Sequence, residues 1–375
     1  MVFNNIIGQK QIKEHLIQGV QDNKMGHAQL FLGPEGSGTL PMAVAYACYI
    51  NCLNRTNDDA CGVCNSCRKF SKLIHPDLHF VFPVNTGKNL SGDPVSDEYL
   101  AQWREYFVQN PYLSESQWYD YIGIENKQGF IGVGESKIIL KKLGFKSFES
   151  DFKIMIIWLP ERMNASAANK LLKIIEEPPE NTIFLMISQS TIDILPTILS
   201  RVQVLKFPRI DDNDIRTALK EKHGIPDNQL DNIVHLANGN YRKALDLITD
   251  SEENKYNLDR FSELMRRAYA FDIPKIIGLA EEISAIGRER QKRFLNYVLR
   301  MVRENFMINI VSDKIVYLTP GEKDFSAKFH PFINSRNASG IYRLINKASL
   351  DIEANANARI VFTDTALHLN KLLKS

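Results

Sequence analysis

No stretch of this 375-residue chain approaches the about 18 uninterrupted apolar residues that a membrane-spanning helix needs. Bulk charge is missing too. Forty-six Lys and Arg face 44 Asp and Glu, a formal net charge of +2, so any contact with nucleic acid must come from a local patch. The opening residues Met1-Val2-Phe3-Asn4-Asn5-Ile6-Ile7 lack the basic stretch and apolar core of a secretory signal. Repeats and low-complexity tracts are absent. Cysteine is scarce: there are five, and four of them fall between Cys52 and Cys67. These absences point to a cytoplasmic protein with no membrane partner, and 375 residues are enough for two or three domains.

The most informative absence is chemical. Gly33-Pro34-Glu35-Gly36-Ser37-Gly38-Thr39-Leu40 has the spacing of a phosphate-binding loop, G-x-x-x-x-G-K-[ST]. In such a loop the Lys reaches the phosphates and the hydroxyl holds Mg²⁺. Here Thr39 stands at the Lys position and Leu40 at the hydroxyl position. The apolar run 28–32 reads as the preceding strand and 40–51 as the following helix. A second apolar strand, 153–157, should end in an acidic residue for the Mg²⁺ shell and a Glu for the attacking water. It continues Trp158-Leu159-Pro160-Glu161, and neither Trp nor Leu offers the oxygen donor a hard cation requires. Four losses in two motifs predict an NTPase frame that neither binds nor hydrolyses ATP.

The cysteines supply the opposite case, a motif with every part present. Cys52, Cys61, Cys64 and Cys67 form C-x8-C-x2-C-x2-C, which suits one tetrahedral Zn²⁺ in a reducing compartment. Four thiolates leave no open position for a substrate, so the predicted zinc is structural. Cys48, one helical turn before Cys52, reads as a packed core thiol.

Strand and helix signals alternate over the first ~210 residues, as in a doubly wound parallel sheet. Helices are expected at 9–21, 134–143 and 164–177, the last ended by Pro178-Pro179, and strands at 78–82 and 183–187. The interval 85–128 is rich in aromatics and reads as an insertion with a small helical core of its own rather than a base-stacking platform. Beyond Asp211 strand signals nearly vanish. Short helices at 212–222, 229–237 and 240–249 precede a polar run, Asp250 to Lys255. Helical spacing then returns at 261–271, 273–286, 289–310 and 339–373.

Ala168-Asn169-Lys170-Leu171-Leu172-Lys173-Ile174-Ile175-Glu176-Glu177-Pro178-Pro179 resembles the A-N-x-L-L-K-x-x-E-E-P-P signature of the bacterial DNA polymerase III clamp-loader family. The resemblance extends through Ile6-Ile7-Gly8-Gln9, the run 27–31, the four-cysteine insertion, Leu195-Pro196-Thr197-Ile198-Leu199-Ser200-Arg201 and Gly239-Asn240-Tyr241-Arg242-Lys243-Ala244-Leu245. It implies an α/β fold: an AAA+ P-loop-type core over 1–209, carrying a zinc module (48–70) and the 85–128 insertion. A small helical lid (210–250) and an all-α collar domain (255–375) would follow.

Of the family's two plans, tau/gamma and delta-prime, the degenerate loop is similar to the delta-prime type. By that resemblance the chain is a non-catalytic part of the DNA polymerase holoenzyme. Its implied partners are tau/gamma and delta subunits and, through the complex, the sliding clamp and primed DNA. Arg201, beside Ser200, would act as an arginine finger on ATP bound by a neighbour. Val202 departs from the family's usual Cys but leaves the guanidinium in place. Gly33, Gly36, Gly38 and Thr39 would be a vestigial loop, and Arg242 a sensor-like residue.

An autonomous, DNA-stimulated ATPase of tau/gamma type is the competing class. A zinc-dependent nucleic-acid module ranks third, because Asp58 and Asp59 partly offset Arg55, Arg68, Lys69 and Lys72.

Overall fold

The computed structural model describes residues 1–85, 94–124, 128–248, 252–310, 316 and 318–374. They form two compact units, Met1–Leu245 and Asp246–Ser375.

The first unit is built on a parallel sheet of five strands: β1 (Ala28–Leu32), β2 (Leu78–Val81), β3 (Lys153–Trp158), β4 (Thr182–Ser188) and β5 (Gln203–Lys206), in the order β2-β3-β4-β1-β5. In register, Leu30 faces Met186 and Phe31 faces Ile187. Strands β3 and β4 are buried along their whole length, which is why Ile-Met-Ile-Ile-Trp (154–158) reads as a continuous apolar run rather than an alternation. Alternate residues still serve opposite faces. Ile154, Ile156 and Trp158 join one core, and Met155 and Ile157 join the other. The helix Thr39–Ile50 is apolar all round because it is covered on every side, with all residues from Leu40 to Ile50 buried.

The aromatic interval is not a separate body. Its described part carries the helices Leu100–Gln109 and Glu115–Tyr121, and the Trp103 ring stacks on Phe82 with centroids 4.2 Å apart. Trp118 donates its indole N–H to the Pro83 carbonyl at 3.0 Å. Trp103, Phe107 and Trp118 therefore belong to the main core, correcting the expectation of a self-contained helical one. Residues 86–93 and 125–127 of that interval lie outside the described residues.

Strand β5 was not expected. Gln-Val-Leu-Lys is short, polar at both ends and mostly exposed at the sheet edge, so it carries little apolar signal.

The second unit is helical throughout its described residues. Glu252–Ala270, Ile273–Ser284, Arg288–Ile310 and Pro320–Phe329 precede a pair, Ala338–Glu353 and Ala358–Leu373. The spacing predicts one helix over 339–373; the chain breaks it after Glu353, where Asn355 takes a left-handed conformation (φ 65°). Phe261, Leu279, Phe294, Val298, Ile345 and Leu369 lie in its core.

Candidate functional site

The glycine loop leaves the carboxyl end of β1 and enters the helix Thr39–Ile50, the place where a phosphate would meet a helix N-terminus. Its backbone has the required shape: Gly36 and Gly38 take φ of 73° and 87°. Its mouth is filled by the chain itself. Asn240 presses so close that a Cβ on Gly36 would lie 1.9 Å from its Oδ1. The Tyr241 N–H donates to the Gly36 carbonyl at 3.2 Å. From the aromatic insertion, Tyr112 stands over Gly38, 8% exposed, with its ring edge-on to Tyr241 at 4.9 Å. The Tyr112 hydroxyl accepts the Ile7 N–H at 2.9 Å. Gln9 ties the parts together, donating to the Ser37 carbonyl at 3.0 Å and the Pro208 carbonyl at 2.8 Å.

The cavity left at the loop is about 30 Å³. That is room for about one water, against the roughly 300 Å³ or more of a small-molecule site. A second cavity of about 340 Å³, lined by Ile6, Phe107, Tyr112, His223 and Arg242 among others, touches none of residues 33–40. Arg242 is one of the residues lining that cavity. Leu40, at the Mg²⁺-hydroxyl position, is buried in the core.

The end of β3 is closed as well. Trp158 turns into the aromatic cluster, 5.3 Å from Trp103, and Leu159 takes a left-handed conformation (φ 57°) before the short 3₁₀ turn Pro160–Arg162. Arg162 makes a two-pronged contact with Glu115 of the insertion at 2.7 and 2.9 Å. Burial pushes the Glu161 carboxyl above its ordinary value.

The cysteines converge. One sulfur from each of Cys52, Cys61, Cys64 and Cys67 lies within 4.8 Å of all the others. Sγ separations of 3.5 Å (Cys52–Cys67) and 3.9 Å (Cys61–Cys67) suit the edges of a tetrahedron with metal–sulfur bonds of about 2.3 Å. Backbone N–H groups of Cys61, Cys64 and Cys67 point at the sulfurs of Cys52, Cys61 and Cys64 at 3.3, 3.3 and 3.4 Å. The donor set fits a structural Zn²⁺. Cys48 lies outside this set but touches it, with its sulfur 3.6 Å from that of Cys67. Burial pushes the Cys48 thiol up to about 11, so it stays protonated and donates.

Arg201 lies at the surface after the short helix Pro196–Leu199. Its Nε contacts Glu176 Oε2 at 2.7 Å, and its Nη1 donates to the Thr197 carbonyl at 2.9 Å and reaches Ser200 Oγ at 3.3 Å. Glu176, Tyr112 and Asn240 were not singled out from sequence. Glu176 sits in the E-E-P-P signature, where its proximity to Arg201 is a matter of tertiary folding alone. Tyr112 was one aromatic among many.

Sequence comparison supplies the family. The profile described as "DNA polymerase III, delta subunit" matches residues 8–211, and the chain belongs to that family within the AAA+ clamp-loader group. Among curated relatives, the DNA polymerase III subunit delta' of Bacillus subtilis is 25% identical over 82% of this chain and 80% of its own. The delta' subunit of Haemophilus influenzae is 27% identical over 68% of this chain and 65% of its own. The tau subunit of Bacillus subtilis is 26% identical over 66% of this chain but only 37% of its own length. Among the described residues, no helix is long and apolar enough to cross a membrane.

Proposed function

We propose that this chain is a non-catalytic, delta-prime-type subunit of a bacterial clamp loader, assembling with tau/gamma and delta subunits to place a sliding clamp on primed DNA. The observation that carries this reading is the glycine loop, which lacks its Lys and hydroxyl and whose mouth is filled by Tyr112 and Asn240. A chain with no usable nucleotide seat contributes to ATP hydrolysis through what it offers a neighbour.

Arg201 is that offering. A planar, permanently charged guanidinium stabilises charge on a transferring phosphoryl group, and an arginine finger supplied in trans is worth roughly 10³–10⁵ in rate. Its contact with Glu176 is an exposed ion pair worth about 0.2–1 kcal/mol, so it can be exchanged for a γ-phosphate at little cost. Cys52, Cys61, Cys64 and Cys67 would hold a Zn²⁺ that folds the loop between the helices Thr39–Ile50 and Asn65–Ser71 and supplies no reaction chemistry.

The test is reconstitution. The chain should co-purify with the tau/gamma and delta subunits of its organism, have no ATPase activity alone, and be required for clamp loading by the complex. Turnover that stays with the isolated chain through several columns would instead favour the autonomous ATPase.

A further inference from the structure

The cysteine cluster holds a fifth sulfur that the ligand set does not use. Cys48 lies on the helix Thr39–Ile50 and Cys67 on the helix Asn65–Ser71, and both are buried. Their sulfurs are 3.6 Å apart, with Cys48 placed to donate its S–H to Cys67.

The surrounding packing fixes that distance. Ser66, next to Cys67, donates its hydroxyl to the Asn51 carbonyl at 2.7 Å, just past the end of the Cys48 helix. The Asn51 side chain in turn exchanges two hydrogen bonds with the Phe152 backbone, at 2.9 and 3.3 Å. Phe70, buried one turn beyond Cys67, stacks on His75 with centroids 4.5 Å apart. The two helices are pinned to each other and to the start of β3. The separation of the sulfurs is therefore set by the fold rather than by the freedom of either side chain.

Four thiolates around one Zn²⁺ carry a net negative charge, and a buried charge is costly unless polar hydrogens are turned toward it. The outer half of the cluster has two sources of such hydrogens. Backbone N–H groups point at the sulfurs of Cys52, Cys61 and Cys64, and Cys61 and Cys64 are only half-buried, so water reaches them as well. Cys67 belongs to the apolar core, which water does not enter. On that side the Cys48 thiol supplies the hydrogen. A buried thiol outside the ligand set keeps its proton, so it has one to offer.

We infer that Cys48 is a supporting donor to the metal centre, its S–H stabilising the Cys67 thiolate and slowing the loss of Zn²⁺. This rests on the reading of Cys52, Cys61, Cys64 and Cys67 as a zinc site.

The experiment compares the full chain with Cys48→Val, Cys48→Ala and Cys48→Ser. Each is loaded with Zn²⁺ and mixed with excess chromogenic chelator, and a thermal melt checks its fold. Cys48→Val fills the space without a donor, and with Cys48→Ala it should release zinc about tenfold faster than the parent. Cys48→Ser keeps a donor on a shorter arm and should fall between them and the parent. In the Co²⁺-loaded proteins the thiolate-to-metal charge-transfer band should move to longer wavelength in the Val and Ala variants, and less in Ser. Losing a hydrogen bond raises the energy of the sulfur electrons.

Pure packing reverses the order. Val would then match the parent, Ser would be worst because it buries an unneeded hydroxyl, and the cobalt band would stay in place; that pattern would overturn the inference. So would zinc retained at one equivalent by Cys67→Ser and lost on adding Cys48→Ala, which would make Cys48 a ligand in its own right. Equal release rates across the series, in proteins that each carry one equivalent, would overturn this inference and leave the zinc site standing. A parent chain without zinc would overturn both.

Discussion

Replacing Arg201 by Ala separates two accounts of that residue by a wide margin. If its role is structural, the whole effect is the loss of an exposed ion pair with Glu176 and a hydrogen bond to the Thr197 carbonyl. Both groups are substantially exposed, 31% for Arg201 and 55% for Glu176, so solvent screens the pair and the cost is about 1 kcal/mol at most. That corresponds to a fall of a few degrees in melting temperature. If Arg201 acts on a neighbour's ATP, the same substitution removes a stabiliser of transition-state charge and slows one site by roughly 10³–10⁵. The assay is single-turnover ATP hydrolysis by the reconstituted complex with primed DNA and clamp, read beside a thermal melt of the chain alone. The expected pattern is near-normal stability, normal assembly, one silent site and clamp loading more impaired than ATP binding. Arg201→Lys should rescue poorly, because an ammonium keeps the charge but not the planar fork. Glu176→Gln should keep full activity, since it only releases the guanidinium. Wild-type turnover at every site in the Arg201→Ala complex would refute the assignment.

Protein purified without added metal should carry about one equivalent of Zn²⁺, and Cys64→Ser should lose it; less than about half an equivalent in the parent would sink the assignment. The isolated chain should show no shift in melting temperature on adding ATP–Mg²⁺. Thr39→Lys should not create one, since Leu40 still occupies the hydroxyl position and Tyr112 and Asn240 still fill the mouth. Burial, with Lys142 and Lys153 nearby, lowers the pKa of His79 from 6.5 to about 4. Because the unfolded state then binds the proton more readily, stability should fall as pH drops from about 6.5 towards 4. The full effect is about 3 kcal/mol, and His79→Gln should flatten that part of the denaturation profile.

Much of the architecture could be read directly from residue patterns. The buried runs 153–157 and 183–187 are strands because central parallel strands are apolar on both faces, and Pro178-Pro179 stops the preceding helix for a steric reason local to those residues. The four cysteines were equally legible, since their spacing alone brings the sulfurs together. What could not be read depends on distant pairings. Tyr112 and Asn240 are far from the glycine loop in sequence and meet it only through the fold, so local pattern exposes the missing Lys but not the filled mouth. Edge strand β5 was hidden because it buries little. The break at Asn355 was hidden because Ala-Asn-Ala-Asn does not disrupt apolar spacing enough to mark a turn.

The crowding around the glycine loop has a mechanical consequence. Gln9 joins the first helix to Ser37 and Pro208, the Tyr241 amide is fastened to Gly36, and the Ile210 amide to the Gly239 carbonyl. These bonds fasten residues 208–210 and 239–241 directly to the glycine loop and to one another. On the proposed clamp-loader reading, the angle between those parts should change little through an ATP cycle, and the work of opening and closing would fall on the neighbouring subunits.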